Sequence, residues 1–158
     1  MKKALIAYFS AEGNTKKLAE RMAAVSGCDL FEIAPKVRYT RDDLDWRNAL
    51  SRSSVEMKDL EARPETEGKV EDMAQYDTVF VGFPIWWYRE PSIIDTFLES
   101  YDFAGKKIVP FATSGSSGMG DTVKFMKRIL PGADIAEGKR FSKHETDEEL
   151  KSFINSNF

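Results

Sequence analysis

Cysteine and histidine are nearly absent from this chain of 158 residues, where Cys28 and His144 each stand alone. A lone cysteine closes no internal disulfide, and one Cys with one His supplies neither a structural zinc site nor the paired histidines of a zinc hydrolase. An excess of one charge is missing too. The 23 basic side chains face 26 acidic ones, a formal net charge of −3, which leaves no basic stripe for a nucleic acid backbone. Long hydrophobic runs are also wanting. Ala4 to Phe9 is shorter than the ~7–15 apolar residues of a signal-peptide core, and no run approaches the ~18 of a membrane span. These absences point away from nucleic acid and membrane and predict a cytoplasmic protein. What is present is 42% hydrophobic residues, and a chain of this size can bury roughly 70% of its unfolded surface. The expectation is a single domain over residues 1–158.

Three apolar runs, Ala4–Phe9, Thr78–Phe83 and Ile108–Ala112, are continuous rather than alternating, as in strands covered by helices on both faces. Between them fall helical stripes: Leu18, Met22 and Val25, then Ile93, Ile94, Phe97, Leu98 and Tyr101, then Val123, Met126, Ile129 and Leu130. A last helix holds Leu150, Phe153 and Ile154 and opens with Thr146 and Glu149 spaced as a capping box. Pro91 suits a helix start. A weaker strand is expected over Leu30–Ala34, and a fifth within Ala133–Phe141. Strand and helix in alternation predict an α/β doubly wound parallel sheet, a three-layer α/β/α sandwich. Pro110 is out of place in a central strand because it has no N–H to give the ladder, so irregular pairing is expected around it. Residues 35–68 form a polar excursion, longer than the usual connection of about 2–6 residues, and carry Tyr39 and Trp46.

In an open α/β sheet ligands sit beyond the carboxyl ends of the strands, so three loops carry the interest. Ser10-Ala11-Glu12-Gly13-Asn14-Thr15 follows the first strand and runs into a helix. Its free amides and short polar side chains either cradle a phosphate or cap the helix. It contains neither G-x-G-x-x-G nor a Gly-Lys-Ser/Thr sequence. Pro84-Ile85-Trp86-Trp87-Tyr88-Arg89-Glu90 follows the third strand, and its aromatics offer a stacking wall for a flat ring, with at least one Trp expected to plug the core. Thr113-Ser114-Gly115-Ser116-Ser117-Gly118-Met119-Gly120 follows the fourth, where glycines admit a close backbone approach and hydroxyls can bond ring heteroatoms, unless the loop is only flexible. An anion cradle, an aromatic wall and a polar rim together suit a flat aromatic ring system bearing a phosphate.

Ala7-Tyr8-Phe9-Ser10 with Gly13-Asn14-Thr15, Gly82-Phe83-Pro84-Ile85-Trp86-Trp87, and Phe111-Ala112-Thr113-Ser114-Gly115 with Ser117-Gly118-Met119-Gly120 occur in that order. In these motifs the chain resembles the bacterial flavodoxin-like family of short flavoproteins, and the resemblance extends to Trp46 and Ser51-Arg52-Ser53. It implies a five-stranded sheet of order 2-1-3-4-5 and noncovalent FMN at the switch point. It assigns Ser10, Gly13, Asn14 and Thr15 to the phosphate, with Glu12 keeping its amide in the loop. Pro84, Ile85, Trp86 and Trp87 go to the isoalloxazine wall, and Thr113, Ser114, Gly115, Ser117 and Gly118 to the pyrimidine side. Tyr39 and Tyr88 are candidate rim contacts.

Glu12 is a departure, since many relatives carry a hydroxyl residue there, and a carboxylate beside a phosphate predicts weakened affinity. No glycine lies between Gly82 and Gly105, so a peptide flip beside the flavin, which commonly uses φ > 0, is expected to be costly. Arg89, if it points inward, would favour an anionic reduced flavin. Both features predict two-electron reduction without a persistent blue radical. The expected function is an FMN-binding redox protein that transfers electrons through the flavin to a partner protein or a small-molecule acceptor. The alternatives are an FMN-dependent NAD(P)H:quinone-type reductase and a non-redox module that binds another phosphate ligand or a partner on the same fold. The flavin carries the chemistry, so no side chain is assigned as catalytic, no metal is expected, and monomer and homodimer both remain open.

Overall fold

The structure, a computed structural model, describes residues 3–114, 118–142 and 144–157. In chain order the elements are β1 (Ala4–Tyr8), α1 (Asn14–Ser26), β2 (Asp29–Glu32), β3 (Ala34–Pro35), α2 (Arg52–Lys58), β4 (Thr66–Glu67), β5 (Thr78–Pro84), α3 (Ser92–Glu99), β6 (Lys107–Thr113), α4 (Thr122–Ile129), β7 (Asp134–Ile135), β8 (Lys139–Phe141) and α5 (Asp147–Ser156). The main sheet runs β2-β1-β5-β6, with β7 and β8 both pairing with β6. Every pairing in it is parallel. With β7 and β8 counted as the two halves of one strand, and the β3–β4 hairpin set aside, this is the expected 2-1-3-4-5 order.

The continuous apolar runs are explained by two cores. Along β1, Leu5, Ala7 and Phe9 face one core while Ala4, Ile6 and Tyr8 face the other. Strand β5 divides likewise, Val79, Val81 and Phe83 against Phe80. The first core is closed by Ile93, Ile94, Phe97 and Leu98 of α3 and Met126 of α4; the second by Leu18, Ala19 and Met22 of α1 and Leu150, Phe153 and Ile154 of α5. Each strand residue is thus buried whichever way it points, which removes the alternation that a half-exposed strand would show. At the start of α5, the Thr146 hydroxyl accepts the Glu149 amide (3.2 Å) as the capping pattern predicts.

Pro110 has the effect its chemistry demands. The Ala136 amide donates to the Ile108 carbonyl (2.9 Å), so even-numbered residues of β6 face the fifth strand position. Pro110 would have to donate on that same side and cannot. The fifth strand breaks there: β7 pairs with Lys107 and Ile108, β8 with Phe111 to Thr113, and residues 136–138 between them belong to neither strand. On the other side Pro110 keeps regular register with Val81. The second strand is shorter than expected, because the chain leaves the sheet after Glu32 and Ala34–Pro35 pairs antiparallel with β4 instead.

The polar excursion is ordered, and its helix α2 was not legible in the sequence. The Ser51 hydroxyl caps α2 by accepting the Ser54 amide (3.4 Å), and Ser53, Ser54 and Met57 face inward. Trp46 is 70% exposed and plugs no core.

Candidate functional site

Because β1, β5 and β6 are adjacent and parallel, their carboxyl ends lie along one edge. The chain winds from β1 outward to β2 and from β5 outward to β6, so winding reverses between β1 and β5, where α/β sheets bind ligands.

The loop after β1 enters α1 through Gly13 at φ +97°, a left-handed conformation that an L side chain resists. No side chain caps α1, and its first turn holds no acidic residue. The Ser10 hydroxyl accepts the Gly13 amide (3.0 Å), and the Lys17 amide returns to the Gly13 carbonyl (3.1 Å). The amides of Asn14, Thr15 and Lys16 have no acceptor among the described residues. Three unpaired amides at the positive end of a 13-residue helix are an arrangement that can accept an anion. Glu12 and Asn14 are exposed, whereas Thr15 is buried and its hydroxyl shares a hydrogen bond (2.8 Å) with that of Thr113, tying this loop to the end of β6.

The aromatic segment is a two-residue hairpin turn. The Trp86 amide donates to the Arg89 carbonyl (3.1 Å) and the Arg89 amide donates to the Trp86 carbonyl (3.2 Å). Trp87 and Tyr88 between them sit at φ +48° and +67°, the mirror-image turn that Asn-Gly ordinarily supplies. The turn thus reaches positive φ without a glycine. Such positions cost about 1–3 kcal/mol each and persist where surroundings over-determine them. One such constraint is visible: the Asp121 amide donates to the Tyr88 carbonyl (2.7 Å). Gly120 lies so close that a Cβ there would run into that carbonyl, so only glycine permits the clamp.

Trp86 plugs the core, as expected of one of the pair. Its ring meets Phe9 (5.6 Å) and Tyr39 (5.5 Å) edge to face. Trp87 and Tyr88 point outward, 41% and 69% exposed. Tyr39 lies behind Trp86, with the Arg52 guanidinium 3.8 Å from its ring centre and its hydroxyl bonded to Glu56. Burial, then Glu56, raises that phenol well above the ordinary tyrosine range. The excursion thus braces the aromatic wall through Tyr39, Arg52 and Glu56. Tyr39 is a rim candidate from the sequence and Arg52 falls within the Ser51-Arg52-Ser53 resemblance, but Glu56 is missed because it sits on a helix too short and polar to show in the sequence.

Pro84 ends β5 opposite Thr113, and the Ile85 amide donates to the Thr113 carbonyl (3.2 Å). Beyond β6, the Ser114 carbonyl accepts Arg140 Nη1 (3.5 Å) and Gly118 is exposed. Gly115 and Ser117 lie outside the described residues. Ser10, Gly13, Asn14, Thr15, Pro84 to Tyr88, Thr113 and Ser114 all belong to the three loops at this edge.

Arg89 does not reach toward this edge. It is 4% exposed, donates to the Glu90 (3.1 Å) and Met57 (3.4 Å) carbonyls, and faces Asp95 (3.5 Å). The condition attached to Arg89, that it point inward at a ligand ring, is not met: Nη1 and Nη2 are engaged beneath the turn.

A family model described as Flavodoxin matches residues 3–157, and the chain belongs to the flavodoxin family. Among solved structures it is similar to a protein from Bacteroides eggerthii DSM 20697 provisionally named a flavoprotein: 43% identity, 99% of this chain and 98% of that one covered, TM-score 0.93. A flavoprotein from Lactobacillus acidophilus NCFM, solved in complex with FMN, shares the fold at 22% identity and TM-score 0.72, over 98% and 99% of the two chains. An uncharacterized NAD(P)H oxidoreductase of Escherichia coli K12, YcaK, is 28% identical over 91 residues, 56% of this chain. The match spans only 41% of that relative's length.

Proposed function

We propose that this chain binds FMN at the carboxyl edge of β1, β5 and β6 and serves as a redox protein, passing electrons to a partner protein or a small organic acceptor. The observation that carries the reading is the bare amino end of α1 beside an outward-facing aromatic turn. The donor set fits the group. Three amides and the Ser10 hydroxyl suit a phosphate, Trp87 and Tyr88 suit one face of a flat ring, and the Thr113–Ser114 segment suits its polar edge. When bound, the flavin supplies the electron transfer chemistry itself. The work of the chain is to hold and orient it: α1 neutralises phosphate charge with its dipole, and the clamped turn presents rigid aromatic area. The FMN held by the Lactobacillus acidophilus flavoprotein of the same fold agrees with this reading. Visible absorption of the purified protein, before and after adding FMN and removing the excess, tests it. Retained yellow colour is the expected result; a chain that keeps no FMN would favour a non-redox phosphate-binding module.

A reductase is the second reading, favoured by the match to an NAD(P)H oxidoreductase and by the exposure of Trp87 and Tyr88, which leaves room for a planar substrate. Oxidation of reduced nicotinamide with a quinone as acceptor separates a reductase from a carrier. Among the described residues no helix is long and apolar enough to cross a membrane.

A further inference from the structure

Arg89, Glu90 and Asp95 form a buried group that the binding loops do not use. Their exposures are 4%, 0% and 1%. Two carboxylates share one guanidinium: Arg89 Nη1 lies 3.5 Å from Asp95 Oδ2 and 3.9 Å from Glu90 Oε2. The Phe125 ring of α4 closes over Arg89, 5.2 Å from its centre. Both carboxyl oxygens of Glu90, and Oδ1 of Asp95, are buried with no donor in reach. Two further cations act on Asp95 from farther away, but each is engaged elsewhere. Arg63 is bound to Glu99 (2.6 Å), and Arg128 to Glu61 (3.6 Å) and the Leu60 carbonyl (3.0 Å). Among the described residues Arg89 is the one cation that faces Glu90.

A second bare carboxylate in such a place is uncompensated, and two carboxyl groups gathered at one guanidinium can hydrogen-bond each other only if one carries a proton. We propose that Glu90 carries that proton, donates it to the Asp95 carboxylate, and as a neutral acid is the positioning residue that locks Arg89, and so the Trp87–Tyr88 turn, over the start of α3. Burial raises the Asp95 carboxyl as well, but Asp95 keeps the charge because its oxygen lies nearer the guanidinium and it stands in the first turn of α3, where the helix dipole favours an anion. Burial first, and Asp95 second, push the Glu90 carboxyl up to about 10. The inference deepens the FMN reading, since the turn it locks is the aromatic wall.

The test follows from proton linkage. Unfolded, Glu90 ionises near its ordinary 4.5; folded, it holds its proton to about 10. Between those values the native state binds one proton more than the unfolded state, so this group makes the protein less stable as pH rises. The unfolding constant should climb about tenfold per pH unit on its account. Urea unfolding of the full chain from pH 6 to 9 should therefore show roughly a thousandfold divergence between wild type and Glu90→Gln, which stays neutral and can still donate to Asp95. Parallel pH curves would overturn the proposal. Infrared spectra at pH 8 give a second measure without any variant: a protonated carboxyl band present in the folded wild type and absent on unfolding, with no such band overturning it. Glu90→Gln should keep the near-ultraviolet circular dichroism of the turn and its FMN affinity, while Glu90→Ala should lose the first and weaken the second at least tenfold. Unchanged dichroism in Glu90→Ala would mean the turn is not locked by the pair. If no form binds FMN, the flavin reading falls, and the infrared and unfolding measurements still decide the proton.

Discussion

The phosphate loop and the aromatic turn lie side by side at the end of the sheet, and both hold backbone in the left-handed region by opposite means. At residues 10–15 the conformation is local. Gly13 adopts φ +97° with nothing within reach of a Cβ, and the proposed anion site consists of amides that any helix start leaves bare. At residues 86–89 no glycine is present and the conformation is imposed from outside. Asp121 holds the Tyr88 carbonyl, Gly120 makes room for it, and the Arg89–Asp95–Glu90 group anchors the far end. One site is built by the residues in it and the other by residues remote in sequence, so they should fail differently.

Removing the anchor should have the largest effect. Arg89→Met leaves two buried carboxyls without their cation and should destabilise the chain by about 3–5 kcal/mol. Denaturant unfolding measures this. Replacing the whole group, Arg89→Met with Glu90→Gln and Asp95→Asn, should recover much of that loss, because what is costly is the unpaired buried charge. If the triple variant is as unstable as the single one, the anchor acts through packing on Phe125 and not through charge.

Altering the phosphate loop should cost less and act more on ligand than on fold. Gly13→Ala meets no atom but must occupy φ +97°, which costs about 1–2 kcal/mol. Urea unfolding should report that amount, and FMN affinity should drop about tenfold if the strain is relieved by turning the amides aside. Equal stability with unchanged affinity would make this loop as externally determined as the aromatic turn.

The same contrast explains what the sequence discloses. Strands β1, β5 and β6 are legible because two covering layers make them apolar throughout, and the phosphate loop is legible because its chemistry is contiguous. The break between β7 and β8 is half legible: Pro110 announces irregularity, but only the sheet reveals that its missing donor faces the fifth strand. Glu90 and Asp95 are opaque. Acids flanking a helix start read as solvated residues favoured by its dipole, and nothing local says that Arg89, itself held by Met57 and Phe125, is buried against them. The direction of Arg89 is opaque for the same reason, since its sequence neighbours are the aromatic turn while its bonding partners are not.

The smallest expected change in stability falls on the turn itself. Tyr88 is largely exposed, so Tyr88→Gly sacrifices little burial while relieving a strained φ, and should stabilise the chain by about 0.5–1 kcal/mol once the extra freedom of unfolded glycine is counted. It should not change how the protein is reduced. Flipping the central peptide of a type I′ turn drives its first residue, here Trp87, into the region near φ +60°, ψ −120°, which is essentially reserved for glycine. Wild type and Tyr88→Gly should therefore bleach directly during stepwise reduction with dithionite, whereas Trp87→Gly frees the flip and should develop a blue radical. A persistent blue species in the wild type would show that the turn is free to reorganise, and would erase the distinction between the rigid aromatic wall and the adaptable glycine loop beside it.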